Sequence, residues 1–354
     1  MARTDAGIHY LTDAVNVKYS LNNLWDCELD FIAPYLQDFR VDRYAYRLVN
    51  YGQLVSPSLI GLGNHWDILE ETVPFGRIHS ELLWKTRAKS YLNRLKYTGN
   101  PVCCLMDWCR MQDAYFHWLF DILPRALAAS DFQQKTKSKV GLLVPSEMKQ
   151  WQIDSLLQLG FHPECFVPVN RDDIRTSIAS EALLVAPSAR VQCKESALYG
   201  CMNPGLVRQL ADKLTKSPRV LRIGIEKQKK IYISRADAQS RRILNEEMVI
   251  KVLESCGFSV FCLAHMTFTE QVELFSSASH IVGAHGGGLS NLLFSTHASV
   301  LELFADGHGL RTEYFQLSSL NSLSYYYYVF ASINEANDFV VDLSVLEIFI
   351  NATC

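Results

Sequence analysis

Apolar and polar positions along the 354-residue chain alternate in two rhythms. Short continuous apolar runs occupy 102–106, 139–145, 165–169 and 182–187, as strands buried on both faces do. Between them, 146–159 places apolar residues at helical spacing and stops at Gly160. Strand, helix and strand at these intervals predict βαβ units in a parallel sheet. Upstream, 44–60 reads as strands turning at Asn50-Tyr51-Gly52 and Ser56-Pro57-Ser58. The stretch 81–94 reads as a helix with Lys85, Arg87 and Lys89 on a solvated face, and 29–36 as a strand or a short helix. A helix over 204–214 leads to Lys216-Ser217-Pro218, the best linker candidate. A second series follows, with strands at 230–234, 258–263, 280–282, 300–303 and 325–330, and helices at 245–256, 267–277 and 289–294. Residues 340–350 add a strand and a closing helix. The predicted class is α/β, with two Rossmann-like doubly wound domains, 1–215 and 216–354, the last helix being free to pack back on the first.

Composition narrows this picture little. The length suits two domains of ordinary size. A formal charge of -3 leaves no basic surplus, so a nucleic-acid partner is not expected. The 10 cysteines form no C-x-x-C or zinc spacing, and they read as buried free thiols, Cys256 and Cys262 among them. The N-terminal residues lack a basic start followed by an apolar core, no apolar run is long enough to span a bilayer, and the one sequon is Asn351-Ala352-Thr353. The expected setting is cytoplasmic.

Chemistry concentrates in two places. The first is 281–294, IVGAHGGGLSNLLF, which reads as a strand, a glycine loop and a short helix, followed by a strand at 300–303. Glycine permits positive φ and close approach to the backbone, and a loop opening a helix favours an anion. A tight turn in a parallel sheet is the plain alternative, and the spacing is not G-x-G-x-x-G. His285, Ser290 and Asn291 in the loop, with Glu302 on the next strand, favour an anion or nucleotide site.

The second place is 113–125, an aromatic helix that Asp113 is placed to cap. His117 and Asp121 lie four apart and share a face amid Phe116, Trp118, Leu119 and Phe120. Residue types alone leave a catalytic pair and a helix-stabilising pair equally open. Pro124 is expected to kink or end the helix, with Arg125 near its C-terminal end.

Three stretches together resemble glycosyltransferase family 61. They are AYFHWLFDILPRALA at 114–128, IYISRADAQSRRILNEEMV at 231–249, and GAHGGGLSNLLF with the following VLELF. The likeness covers roughly 102–346. That family includes plant xylosyl- and arabinosyltransferases, animal protein O-linked N-acetylglucosaminyltransferases and bacterial capsular polysaccharide biosynthesis proteins. The resemblance implies a GT-B-like fold whose domains face across a cleft, acceptor side first and nucleotide-sugar side second. It also implies an inverting transfer from a nucleotide-sugar donor, UDP-linked, to a polysaccharide or glycolipid hydroxyl.

On that reading His117 is the first choice of base and Asp121 the second. Arg235, Arg241, Asn245, Glu246, His285, Gly286, Gly287, Gly288, Leu289, Asn291 and Glu302 form the donor site. Of Arg241 and Arg242 only one is expected to point inward, and Glu302 resembles a ribose-contacting acid. No two aspartates are spaced as Asp-x-Asp, so neither metal nor cofactor is expected, and backbone N–H groups and Arg235 meet the phosphate charge. Partners would be the donor and a glycan, glycolipid or protein acceptor, with peripheral contact at the inner membrane face left open. The rivals are a protein O-glycosyltransferase and a non-catalytic nucleotide- or glycan-binding protein. A nicotinamide enzyme is disfavoured by the glycine spacing.

Overall fold

The structure is a computed structural model. It describes residues 8–19, 21, 36, 39–55, 59–63, 67–72, 80–98, 101–106, 111–170, 176–191, 200–218, 220, 229–309 and 311–354. All of 29–36 except Leu36 lies outside the described residues.

The chain divides into two compact units. The first comprises the described residues of 1–15, 41–192 and 203–213, and the second those of 16–40, 193–202 and 214–354. The sequence places 1–215 in one domain, whereas two of its segments group with the second unit.

Two sheets build the first unit among its described residues. Its strands are β1 (Ile8–Tyr10), β2 (Ala45–Asn50), β3 (Gln53–Val55), β4 (Ile60–Leu62), β5 (Arg94–Thr98), β6 (Val102–Cys104), β7 (Gly141–Pro145), β8 (Phe166–Val169), β9 (Thr176–Ser180) and β10 (Ala182–Val185). The larger sheet runs β1-β2-β10-β6-β7-β8, and the smaller β4-β3-β9-β5. Strands β10, β6, β7 and β8 are parallel, as the apolar runs predict. Strands β1 and β2 are antiparallel additions, so this unit is not a plain doubly wound domain. The cause is a shared corner. At Tyr51, which has a left-handed φ of 57°, the chain steps from the larger sheet to the smaller, and the Tyr51 N–H donates to Glu181 O at 2.8 Å. The antiparallel partners β9 and β10 change sheets at the same level.

The second unit is the doubly wound one. Among the described residues its sheet has five strands, all parallel. They are β11 (Lys229–Ile233), β12 (Phe258–Phe261), β13 (Ala278–Ala284), β14 (Ser299–Ala305) and β15 (Ser324–Phe330). Their order is β12-β11-β13-β14-β15. The helix Phe268–Ser277 starts at Thr267, whose hydroxyl accepts from Glu270 N while the Glu270 carboxylate accepts from Thr267 N, a capping box. The last helix, Leu343–Thr353, packs on the sheet of the second unit. Its Val345, Leu346 and Phe349 are buried with Phe258 and Leu301, because 2-fold alternation in β12 and β14 leaves an apolar face there for it.

This order fixes where a ligand can sit. The chain leaves β11 for β12 on one side and returns to β13 on the other, so a crevice opens at the carboxyl ends of β11 and β13. Residues 234–235 and 285–288 follow those ends. Among the described residues no helix is long and apolar enough to cross a membrane.

Candidate functional site

In the second unit, Arg235 crosses beneath the glycine loop. A Cβ at Gly286 would lie 1.9 Å from Arg235 Nη1, so only glycine leaves room for the guanidinium. Positive φ is not the reason for glycine here, because Gly286 has an extended φ of 172°. At Gly287 an added Cβ would meet nothing within 4 Å, so the loop is open on that side.

The helix that follows, Gly287–Phe294, is a 3-10 helix. Its first bond runs from Leu289 N to Gly286 O at 3.0 Å, so the Leu289 N–H assigned to the donor site is already used. The N–H groups of Gly287 and Gly288 stand at the first helical positions, without an acceptor inside the helix. The Tyr314 hydroxyl donates to Gly286 O at 2.7 Å and holds the loop from the other side.

Arg235 is held by backbone. Its Nη2 donates to Ser240 O at 3.0 Å, and its N–H donates to the Glu246 carboxylate, which also accepts from Tyr232 Oη at 2.8 Å. Its Nε is buried without a partner. Burial, and then the charge of Arg241, lowers the Arg235 pKa. Arg241 is itself half-buried and sits at a left-handed φ of 57°. Its Nη1 lies 3.2 Å from His308 Nε2. Burial, reinforced by Arg241, His285, Arg311 and Arg235, pushes His308 down to about 4. His308 is therefore neutral near pH 7, and Nε2 accepts from Arg241. Arg242 points the other way and pairs with Asp338 at 2.7 Å.

His285 lies between Phe304, stacked at 5.0 Å, and Tyr314, at 5.2 Å. Its Nδ1 is 2.5 Å from Glu302 Oε1, and the Tyr325 hydroxyl donates to Glu302 Oε2 at 2.5 Å. Glu302, which resembles a ribose-contacting acid, is fully buried and orients His285. It sits in the middle of β14, the strand on which the sequence placed it. Two other assigned residues serve the scaffold. Asn245 exchanges both its amide atoms with the Val341 backbone at 2.9 Å, and buried Asn291 donates to Gln271 Oε1 and Gly288 O.

The first unit holds a second polar centre. Residues Tyr115–His117 form one α-turn, Trp118–Ile122 a π-helical turn, and Leu123–Thr136 an α-helix. Pro124 does not end the helix: it stands in the first turn of Leu123–Thr136, where its missing N–H costs nothing. Arg125 is consequently buried at that helix's start and donates to Cys104 O and Met106 O. Asp113 lies in the preceding 3-10 turn and caps nothing, since the N-cap is Ala114.

His117 Nδ1 is 2.6 Å from Asp121 Oδ2. Arg190 grips the same carboxylate, with Nε to Oδ1 at 2.8 Å and Nη2 to Oδ2 at 2.5 Å, and the Ser188 hydroxyl donates to Oδ1. Ser188 and Arg190 follow the carboxyl end of β10. The wide π turn exposes Phe120 O, which accepts from Ala189 N at 2.8 Å and ties that segment to the helix. Burial works against the Asp121 charge, but hydrogen bonds from His117, Arg190 and Ser188 outweigh it and bring its pKa to about 2. An ionised Asp121 only accepts, so Nδ1 carries a proton, and in the neutral imidazole the lone pair is then on Nε2. Arg190 Nη2, at 3.2 Å from Nδ1, is the longer contact and does not compete. The His117 side chain is about a third exposed (32%), which leaves Nε2 open to an acceptor.

Sequence reasoning missed Ser188, Arg190, His308, Tyr314 and Tyr325. Only Ser188-Ala189-Arg190, polar residues after a strand end, carried a signal. Three of the described thiols, Cys103, Cys104 and Cys201, are buried and in no disulfide, and burial raises the Cys103 pKa to about 12, whereas Cys256 and Cys262 are only half-buried. No group of three His, Cys, Asp or Glu among the described residues is placed to hold a metal.

A family model described as Glycosyltransferase 61 matches residues 115–301, slightly more than half of the chain. The match runs from the Tyr115 turn into β14 and takes in His117, Asp121, Arg190, Arg235, Arg241 and the glycine loop, while Glu302, His308, Tyr314 and Tyr325 lie beyond it. No curated protein matches the chain.

Proposed function

Since the chain belongs to glycosyltransferase family 61, we propose that it transfers a sugar from a UDP-linked donor to a hydroxyl of a polysaccharide or glycolipid. The observation that carries this reading is Arg235: a half-buried guanidinium under Gly286, with a buried, partnerless Nε and the charge of Arg241 acting on it. Among the described residues no carboxylate pairs with either arginine. Two half-buried guanidinium groups with no paired carboxylate suit a diphosphate, which supplies counter-charge in the forked geometry a guanidinium favours.

In the proposed reaction, His117 Nε2 takes the proton of the acceptor hydroxyl. The oxygen attacks the anomeric carbon as its bond to the diphosphate breaks, and one displacement inverts that carbon. Charge on the leaving group falls on Arg235, Arg241, His285 and the N–H groups of Gly287 and Gly288. With these groups in that role the transfer is proposed to be metal-independent. The GT-B-like organisation, with the base on the acceptor side and the phosphate site on the donor side, and a cytoplasmic setting belong to the same proposal.

Binding of UDP tests the donor site. UDP is expected to raise the melting temperature by mass action, with or without chelator, and Arg235→Ala to weaken UDP binding roughly ten- to a hundred-fold, the worth of charge-assisted hydrogen bonds. If neither UDP nor any other nucleoside diphosphate stabilises the protein, the donor-site assignment fails. Binding without turnover on any acceptor would make the chain a non-catalytic binding protein.

Gly286→Ala makes a separate prediction. The group its methyl meets is the far end of a flexible side chain, so stability should change by no more than about 1 kcal/mol. The guanidinium must nevertheless move, and UDP affinity should fall about as far as in Arg235→Ala. A Gly286→Ala protein that binds UDP as well as the parent would separate the loop from the anion site.

A further inference from the structure

The helix Ser80–Leu92 carries large apolar groups on an exposed face among its described side chains. Its buried side chains include polar Thr86 and Ser90, while Trp84 and Tyr91 are 61% and 71% exposed. These two aromatics are seven apart and share one helical face. The chain continues through Leu92, 83% exposed, into β5, where Leu95 and Tyr97 are 55% and 61% exposed. Among the described residues β5 is the outermost strand of the smaller sheet. Between these apolar groups stand Lys85, Arg87, Lys89, Arg94 and Lys96, all exposed, and 82–106 contains no acidic residue. A soluble helix ordinarily buries its large apolar groups, so a face built this way has something to meet.

Charge and side-chain type select the occupant. A second copy would bring the same five positive charges against these, and lysine on an outer strand discourages strand pairing. Nucleic acid would use the aromatic rings and the charge but not the aliphatic Leu92 and Leu95. An anionic bilayer uses all of them. Trp and Tyr rings settle at headgroup depth, leucines enter the acyl boundary, and Lys and Arg stems reach back to the phosphates. We propose that residues 84–97 dock the protein on an anionic lipid surface. Lys85, Arg87 and Lys89 are exposed, as the solvated face read from the sequence requires, and docking gives that face a partner. The inference does not rest on the donor-site reading, because docking requires no nucleotide.

The test is flotation of the full chain with vesicles of phosphatidylcholine alone and of phosphatidylcholine with phosphatidylglycerol. Binding is expected to the anionic vesicles only, and to be lost at high salt. The double variant R94E/K96E should weaken it more than ten-fold, since each basic residue near an anionic surface is worth roughly a five-fold gain. L92S/L95S should weaken it as well. All four side chains are exposed, so both variants should melt with the parent. Absence of flotation overturns the proposal. So does equal binding to both vesicles that R94E/K96E leaves unchanged, or preference for a single-stranded oligonucleotide over the anionic vesicle. A dimer that L92S/L95S dissociates, with no vesicle binding, also overturns it.

Discussion

His117→Gln is expected to lower turnover 10²- to 10⁴-fold and to leave UDP binding unchanged, the range a positioned general base contributes. Glutamine keeps much of the side-chain length and a donor for Asp121, but it offers no basic nitrogen to an acceptor hydroxyl. Asp121 cannot take over the role. Its two oxygens already receive His117 Nδ1, both arms of Arg190 and the Ser188 hydroxyl, and its pKa of about 2 makes it a poor proton acceptor. The measurement is kcat for sugar transfer alongside calorimetric UDP affinity. A rate within about three-fold of the parent would remove His117 from the reaction.

Asp121→Asn is expected to destabilise the protein by about 3–5 kcal/mol, because it removes the carboxylate paired with the largely buried Arg190. The two side chains are 4% and 10% exposed, so solvent screens the pair little. Removing both charges in Asp121→Asn/Arg190→Met should recover most of the loss, and a double-mutant cycle in urea at neutral pH isolates the pair. The pH dependence follows from the same contacts. The folded-state pKa of about 2 lies below the ordinary carboxylate value. Asp121 therefore adds stability in full above about pH 4, on the order of 2 kcal/mol, and that share disappears as pH falls from about 4 to 2. If Asp121→Asn unfolds within about 1 kcal/mol of the parent, the carboxylate is not balancing Arg190.

The parts of the fold that were readable are those whose signal is local. Continuous apolar runs at βαβ intervals located β6, β7, β8 and β10 and all five strands of the second unit. Gly160, at a φ of 89°, marks a helix end because left-handed backbone favours glycine. The antiparallel strands of the first unit were not legible as such. Strands of three to six residues joined at a corner look the same in sequence whichever way they pair. The site was legible one element at a time. His117 and Asp121 share a turn, so spacing shows them together. Arg190 lies 69 residues beyond Asp121, and only the fold brings it there. Likewise, nothing in the sequence tells that Glu302 is buried against Tyr325 or that Gly286 makes way for a side chain instead of adopting positive φ.

The π turn at Trp118–Ile122 puts one helix in two phases. A π turn is an α-helix holding one surplus residue, so the stretch before it and the stretch after it keep separate counts around a common axis. Nine of the first ten residues of Leu123–Thr136 are buried, so that count is locked by packing. His117 rides on the other. Loss of any single residue within 118–122 would merge the counts with barely a change in composition. It would also turn the imidazole about 100° around the axis relative to the locked stretch. Heredity can vary the letters of this segment far more freely than its length.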